Sequence, residues 1–289
     1  MRPDIMPVKV SARTANAPAC LLDRIYVLCH ARDLWLAKIS VASIRHWYPD
    51  MPMTLIKDRT IGDFDTSEME RCWNISSIVL AHERCGLGFA KIELLLRPER
   101  ERFLVVDADT VMCGPVLRQL EQFTDDFVVP GPPIDNPRDD SFKSIYFDLD
   151  RLLELDPEFR FPGYAFNTGV FIGTSGILTR DVFEPHLNWS SPVELKAPEI
   201  FSCADQGVLN YILMKLAAGG ALTLRSANFM IWGFSEEAKQ LDVRRIASAR
   251  GYDTILHYAG AKPRSIIEFP AAPILLHFDR VYLQAVAQV

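Results

Sequence analysis

Apolar positions along the first hundred residues switch between two periods. Arg24 to Cys29, RIYVLC, is a β-branched apolar run that reads as a buried strand. In the following DLWLAKISVASIRHW, residues Leu36, Ile39, Ile44 and Trp47 share a helical face, and Pro49 stops the helix. MTLIKD (Met53 to Asp58) reads as the next strand. Strand, helix, strand in so short a span is a βαβ unit, which implies a parallel sheet with right-handed crossovers. The pattern repeats with SSIVL (Ser76 to Leu80), the helix GFAKIELLLR (Gly88 to Arg97) and the strand FLVV (Phe103 to Val106).

Beyond FLVV the periodicity weakens. Residues 115–165 mix Asp, Pro and Phe without a period and are expected to form an irregular insertion, with one short strand near Phe127 to Val129. FNTGVFIG (Phe166 to Gly173) reads as a strand entered through a turn. CADQGVLNYILMKLAAGG (Cys203 to Gly220) reads as a helix with Asp205 near its start and two glycines at its end. ALTLRSANFMIWG and TILHYAG read as two later strands. There are no repeats and no linker. The expectation is a single-domain α/β chain, a mostly parallel Rossmann-like sheet flanked by helices, over residues 22–265. Residues 1–21 would be a flexible leader, and 266–289 a looser tail docking on the domain.

Composition narrows the function. The 289 residues are 49% hydrophobic and 24% charged, with a net charge of −6. No Lys/Arg run forms a basic patch, so nucleic acid is not an expected partner. No apolar stretch approaches the roughly 18–20 residues of a transmembrane helix. The N-terminal stretch lacks the apolar core of a signal peptide. Six scattered cysteines without a CxxC pair suggest reduced, mostly buried thiols in a cytoplasmic protein.

The chemistry centres on FLVVDADTVMCG. In extended chain residues two apart project to one face, so Asp107 and Asp109 can converge at the carboxyl end of a parallel strand, where α/β sheets bind ligands. A solvated turn is the plain alternative. VVDADT also fits the haloacid-dehalogenase-like phosphatase motif, with Asp107 as an aspartyl-phosphate nucleophile and Asp109 as general acid. That motif normally opens its domain, whereas a βαβαβ unit precedes it here, and no later acidic cluster completes a magnesium site. A hard-metal site, with both carboxylates holding Mn²⁺ or Mg²⁺ against a diphosphate, therefore leads. In TILHYAGAKPR, His257 is a candidate third ligand, with a structural histidine as the plain alternative when it is taken alone, Gly260 allows close backbone approach, and Lys262 can reach a phosphate.

Taken together, Lys91, FLVVDADT, FNTGVFIG, ADQGVLN and LHYAGAKP resemble, in order, the GT-A glycosyltransferases. The similarity is to glycosyltransferase family 8, the glycogenin and bacterial galactosyltransferase type, across most of residues 24–264. The resemblance implies Mn²⁺ on Asp107, Asp109 and His257, bridging a UDP diphosphate. It implies donor contacts from Leu28, Cys29, His30, Lys91, Asp107, Ala108, Asp109, Asn167, Gly260 and Lys262. Asp205 and Gln206 would then lie near the reacting carbon, as catalytic residues. The implied reaction moves glucose or galactose from a UDP-sugar to an acceptor hydroxyl with retention of configuration. A non-catalytic nucleotide-sugar binder would carry the same residues.

The chain also departs from the family. Lys262 stands one residue closer to the histidine than usual, Arg264 replaces a common Trp, and His30 replaces an acid that reads the uracil. Alone, Lys91 reads equally as a solvated helix residue, Asn167 as a turn former and Asp205 as a helix N-terminal acid. The acceptor, whether saccharide, protein or small molecule, would meet the loops 132–165 and 233–250.

Overall fold

A computed structural model describes residues 22–80, 86, 88–263 and 265–288. The expected leader and Arg264 lie outside the described residues. The chain runs β1 (Arg24–His30), α1 (Leu34–Trp47), β2 (Met53–Asp58), α2 (Ser67–Trp73), β3 (Ser76–Ile78), α3 (Ala90–Leu95) and β4 (Arg102–Asp107). β1 lies between β2 and β4, parallel to both, and β3 continues beyond β2. After β5 (Thr110–Met112), α4 (Leu117–Leu120), β6 (Phe127–Val129), α5 (Asp140–Ile145) and α6 (Leu149–Leu155), the strand β7 (Val170–Thr174) returns antiparallel between β4 and β6. Then follow α7 (Arg180–Phe183), the short ladder of β8 (Leu187–Asn188) with β9 (Glu194–Leu195), and α8 (Asp205–Ala218).

β10 (Leu224–Ser226) completes a seven-stranded, mostly parallel sheet of order β10-β6-β7-β4-β1-β2-β3. Next come β11 (Met230–Trp232), α9 (Glu236–Lys239), α10 (Val243–Ala247), β12 (Ile255–His257) and α11 (Ala272–Val286). β12 pairs with β11 on one side and with β5 on the other, making a small second sheet.

Strand alternation divides the interior into two cores. Ile25 and Val27 of β1, Leu104 and Val106 of β4, and Val170 and Ile172 of β7 face a core shared with α1, β5, β12 and α11. Tyr26, Phe103, Val105 and Phe171 face the other, shared with α3, α5, α6 and α8. Because the central strands are buried on both faces, they appear in the sequence as continuous apolar runs.

Three expectations change. Residues 115–165 contain the helices α5 and α6, each capped by an aspartate: Asp139 accepts from the Phe142 N–H (2.6 Å), and Asp148 from those of Asp150 and Arg151 (3.1 and 3.3 Å). At six and seven residues they are too short to show a period. The stretch 221–233 is two strands in two sheets, because the chain passes from β10 to β11 through Ala227–Phe229. Residues 272–286 are a 15-residue helix, not a loose tail; it buries Ile274, Leu275, Phe278 and Tyr282, and Tyr282 donates to Glu68 (2.7 Å). Among the described cysteines Cys29 and Cys113 are buried, Cys72 is half-buried and Cys203 is exposed; all four are free thiols. No helix of the described residues is long and apolar enough to cross a membrane.

Candidate active site

β4 ends at Asp107, and the chain turns at Ala108 and Asp109 before β5 begins. Three neighbouring segments hold this turn. Asp107 N–H donates to Gly169 O (2.7 Å), Ala108 N–H to Leu28 O (2.9 Å), and Tyr258 N–H to Asp109 O (3.0 Å). Thr110 Oγ1 also donates to Asp107 O (2.8 Å). The two carboxylates converge through this turn rather than through strand alternation, which corrects the geometry expected from the sequence.

His257 completes the cluster from the end of β12. Its Nε2 lies 3.2 Å from Asp109 Oδ1 and 3.8 Å from Asp107 Oδ2. One ligand atom from each of the three residues falls within 4.8 Å of the others, a spacing that can hold a metal ion. Two carboxylates and one imidazole form a donor set for a divalent metal ion, and Asp109 Oδ1 is buried, facing His257 Nε2. His257 Nδ1 is buried without a partner, so the ring is oriented by packing rather than by the usual hydrogen bond behind a metal ligand. The Trp232 indole stacks on it, 5.8 Å between centroids at 23°. Gly169 permits the approach from behind, since a Cβ there would meet His257 Cε1 at 2.1 Å and Asp107 Oδ2 at 2.7 Å.

Two lysines neutralise the aspartates. Lys91, on α3, is only 3% exposed, with Nζ 2.8 Å from Asp107 Oδ1 and 3.9 Å from Asp205 Oδ2. It is therefore no solvated helix residue. Burial alone would lower its pKa, but Asp107 and Asp205 outweigh burial and the net direction is upward. Lys262 Nζ lies 2.6 Å from Asp109 Oδ2 and 4.0 Å from Asp33 Oδ2. Burial works to raise the Asp109 pKa, yet His257 and Lys262 prevail and hold it well below the usual carboxylate range.

The opposite side is built on α8. Asp205 and Gln206 are its first residues, and both are buried. Asn167 Nδ2 donates to Gln206 Oε1 (2.7 Å), Thr168 N–H donates to the same oxygen (3.2 Å), and Gln206 Nε2 donates to Ile145 O (3.0 Å). Asn167 Oδ1 also accepts from Gly169 N–H (2.7 Å), so this residue shapes the turn and orients Gln206 at once. Deeper in, Asn210 bonds both backbone groups of Phe166 and the Gln206 carbonyl. Asp205 is more than a helix-start acid. Burial raises its pKa to about 6, against Lys91 and a hydrogen bond from Thr168, and Gly88 (φ +104) leaves room where a Cβ would lie 2.2 Å from its Oδ1.

These groups line one cleft of about 580 Å³ beyond the carboxyl ends of β1, β2 and β4. Every sequence-derived candidate lines it except Cys29, whose side chain turns into the α1-side core while Leu28 and His30 face the cleft. His30 Nε2 lies 3.1 Å from Asp33 Oδ2, and this hydrogen bond raises the His30 pKa. Sequence reasoning missed Asp33, Asp58, Gly169, Cys203 and Trp232 in the lining, besides Gly88, Ile145, Thr168 and Ala259. Asp58 stands at a strand's carboxyl end, a positional signal present in the sequence; Trp232 and Gly169 carry none without the fold.

No protein-family model matches the sequence, and no curated protein matches it. Solved structures do. The bifunctional glycosyltransferase WbbM superposes with a TM-score of 0.57 at 10% identity, over 93% of this chain and 52% of that one. The galactosyltransferase LgtC, solved with donor and acceptor sugar analogues, gives 0.56 at 14% identity over 90% and 95% of the two chains. GlyE of Streptococcus pneumoniae gives 0.54 at 12% identity over 92% and 63%. The chain thus spans about half of WbbM and nearly all of LgtC. At these identities the likeness is one of architecture: the chain has the GT-A fold of these glycosyltransferases.

Proposed function

We propose that the protein is a metal-dependent glycosyltransferase that moves a hexosyl unit, glucose or galactose, from a UDP-sugar to an acceptor hydroxyl with retention of configuration. The observation that carries this reading is the convergence of Asp107, Asp109 and His257 between two lysines in one cleft. In this reading the triad holds Mn²⁺ or Mg²⁺, which when bound supplies Lewis-acid stabilisation of the departing diphosphate. Lys262 pairs with the diphosphate in place of Asp109, and Gly260 lets the backbone approach it. Lys91 fixes Asp107 and lowers the charge around Asp205. Asn167 orients Gln206 toward the donor sugar, and Asp205 or Gln206 would be the protein group nearest the reacting carbon. One LgtC structure is of an active-site glutamine-to-glutamate mutant, and Gln206 is the only glutamine among the described residues lining this cleft.

The phosphatase alternative asks Asp109 to donate a proton, but His257 and Lys262 keep that group ionised at neutral pH. Thermal-shift titration with UDP-, GDP-, ADP- and TDP-sugars, with and without Mn²⁺, tests the reading, because a ligand that binds the folded state raises its stability by mass action. The expected result is a UDP- and Mn²⁺-dependent rise that Asp109→Asn abolishes, together with UDP release from the donor. Undiminished turnover in EDTA would sink the metal assignment. Formation of a beryllofluoride adduct on Asp107 without UDP binding would favour the phosphatase.

A further inference from the structure

Along the buried stretch of α8 from Val208 to Met214, apolar and aromatic side chains surround one amide, that of the fully buried Asn210. A buried amide destabilises the fold unless its strong donor and acceptor positions are met. Here they are: Asn210 Oδ1 accepts from the Phe166 N–H (2.9 Å), and Nδ2 donates to Phe166 O (2.8 Å) and to Gln206 O (2.9 Å). Phe166 precedes β7 and lies outside any strand, so a side chain stands in for the neighbouring strand that would otherwise bond its backbone. Two of these bonds serve the chain at Phe166. The third reaches Gln206, one turn earlier on α8, and Phe166 immediately precedes Asn167. One amide therefore holds both backbone points that carry the Asn167 and Gln206 side chains. Those side chains meet in the cleft at 2.7 Å, whereas Asn210 is not among the described residues lining it. The sense of each amide is set as well. Backbone N–H groups only donate and carbonyls only accept, so Phe166 fixes Asn210, and Thr168 N–H with Ile145 O fixes Gln206.

We propose that Asn210 is a positioning residue for the transfer step: it ties α8 to the 166–169 turn and so sets the aim of Gln206, without touching the substrate. This rests on the glycosyltransferase reading above. Two variants test it, each checked by thermal denaturation to be folded at the assay temperature. Asn210→Ser shortens the side chain, and Asn210→Asp keeps its shape and the Oδ1 acceptor but loses the amide donor. The readout is the steady-state release of UDP from UDP-glucose and UDP-galactose with Mn²⁺. Both variants should lower kcat by about 10- to 100-fold, the cost of a displaced group at a reacting centre, while KM stays within about threefold. Because Asn210 acts through Gln206, the two losses should not add. Placed on a Gln206→Ala background, Asn210→Ser should lower kcat by less than about twofold further.

Where Gln206→Ala leaves no rate to follow, the same cycle is read in UDP-sugar affinity by calorimetry with Mg²⁺, and the same failure to add is expected. Wild-type kcat in a folded Asn210 variant overturns the proposal, since a residue that serves only the core changes stability and not turnover. Equal losses with and without Gln206 overturn it too, because Asn210 would then act by another route. If neither variant folds, the amide is a requirement of the core and the proposal falls. A wild type that neither binds nor cleaves a UDP-sugar overturns the glycosyltransferase reading and this inference with it. Turnover by the wild type with no change on losing Asn210 overturns this inference only.

Discussion

The two walls of the cleft are made rigid in different ways. On the α8 wall, side-chain amides do the work: Asn167 donates to the Gln206 side chain, Asn210 to the Gln206 carbonyl, all three bond backbone groups of 166, 168 or 169, and Lys91 is buried. On the small-sheet wall, packing does it: His257 sits between Trp232 and Gly169 without a hydrogen bond on Nδ1, and Lys262 is still 24% exposed at its side chain. Two lysines facing two aspartates are therefore not equivalent. A buried ammonium cannot be replaced by water or salt, whereas a partly exposed one can.

The largest expected effect follows from that asymmetry. Lys91→Met leaves Asp107 and Asp205 uncompensated beside each other, and should cost about 3–5 kcal/mol of stability at pH 7. The loss should shrink as the pH falls through the raised pKa of Asp205, about 6, and that carboxylate protonates, which urea denaturation at pH 5 and pH 7.5 would measure. Equal losses at both pH values would mean that the lysine stem, and not its charge, matters to the α8 wall.

Gly169→Ala strikes the other wall. The added methyl has no free space between His257 and Asp107, so the ring must move. Disturbing the support of a metal ligand typically lowers affinity by about 10- to 100-fold, and Mn²⁺ titration should show a loss in that range. Wild-type Mn²⁺ affinity in this variant would remove His257 from the proposed ligand set.

Lys262→Met should cost less stability than Lys91→Met, because Lys262 keeps 24% of its side chain exposed and His257 still faces the buried Asp109 carboxylate. Its effect should instead fall on UDP affinity, measured by calorimetry with Mn²⁺ present. A stability loss as large as that of Lys91→Met would erase the distinction between the walls.

How far the cleft could be read from the sequence follows the same division. β1, α1, β2, β4 and α8 are legible because each is long enough for its period to show, and Asp107, Asp109 and Asp205 stand at the ends of such elements, while His257 ends the three-residue strand β12. The amphipathic period of α11 was also present, with Ile274, Leu275, Phe278 and Tyr282 on one face, but its position after an irregular stretch disguised it as a tail. The short helices α5 and α6 and the close approaches are not legible. Nothing local in FNTG says that Gly169 lies against His257, a residue 88 positions later (257 − 169), or that Trp232 covers the same ring. Burial was equally hidden: GFAKIELL gives Lys91 no mark of being sealed between two carboxylates.

The smallest effect concerns the supports behind the walls. Behind the small sheet, α11 meets α1 through His277 and His46, whose rings are 6.0 Å apart. Burial and His277 lower the His46 pKa, and burial and Arg280 lower that of His277. Both are thus depressed relative to the unfolded value of about 6.5. The unfolded chain takes up protons before the folded one does, so this contribution to stability is complete above that pH and is lost as the pH falls below it. On the α8 side His186, packed edge-to-face against Phe201 and Tyr211, is depressed by burial and by Lys215. His277→Phe removes one titrating group and also the repulsion on a second, whereas His186→Phe removes only one. Thermal scans from pH 7.5 to pH 5 should therefore show the steep acid-side fall in Tm flattened more by His277→Phe, by a margin on the order of 2 °C. An equal flattening would show that the two rings on α1 and α11 titrate independently.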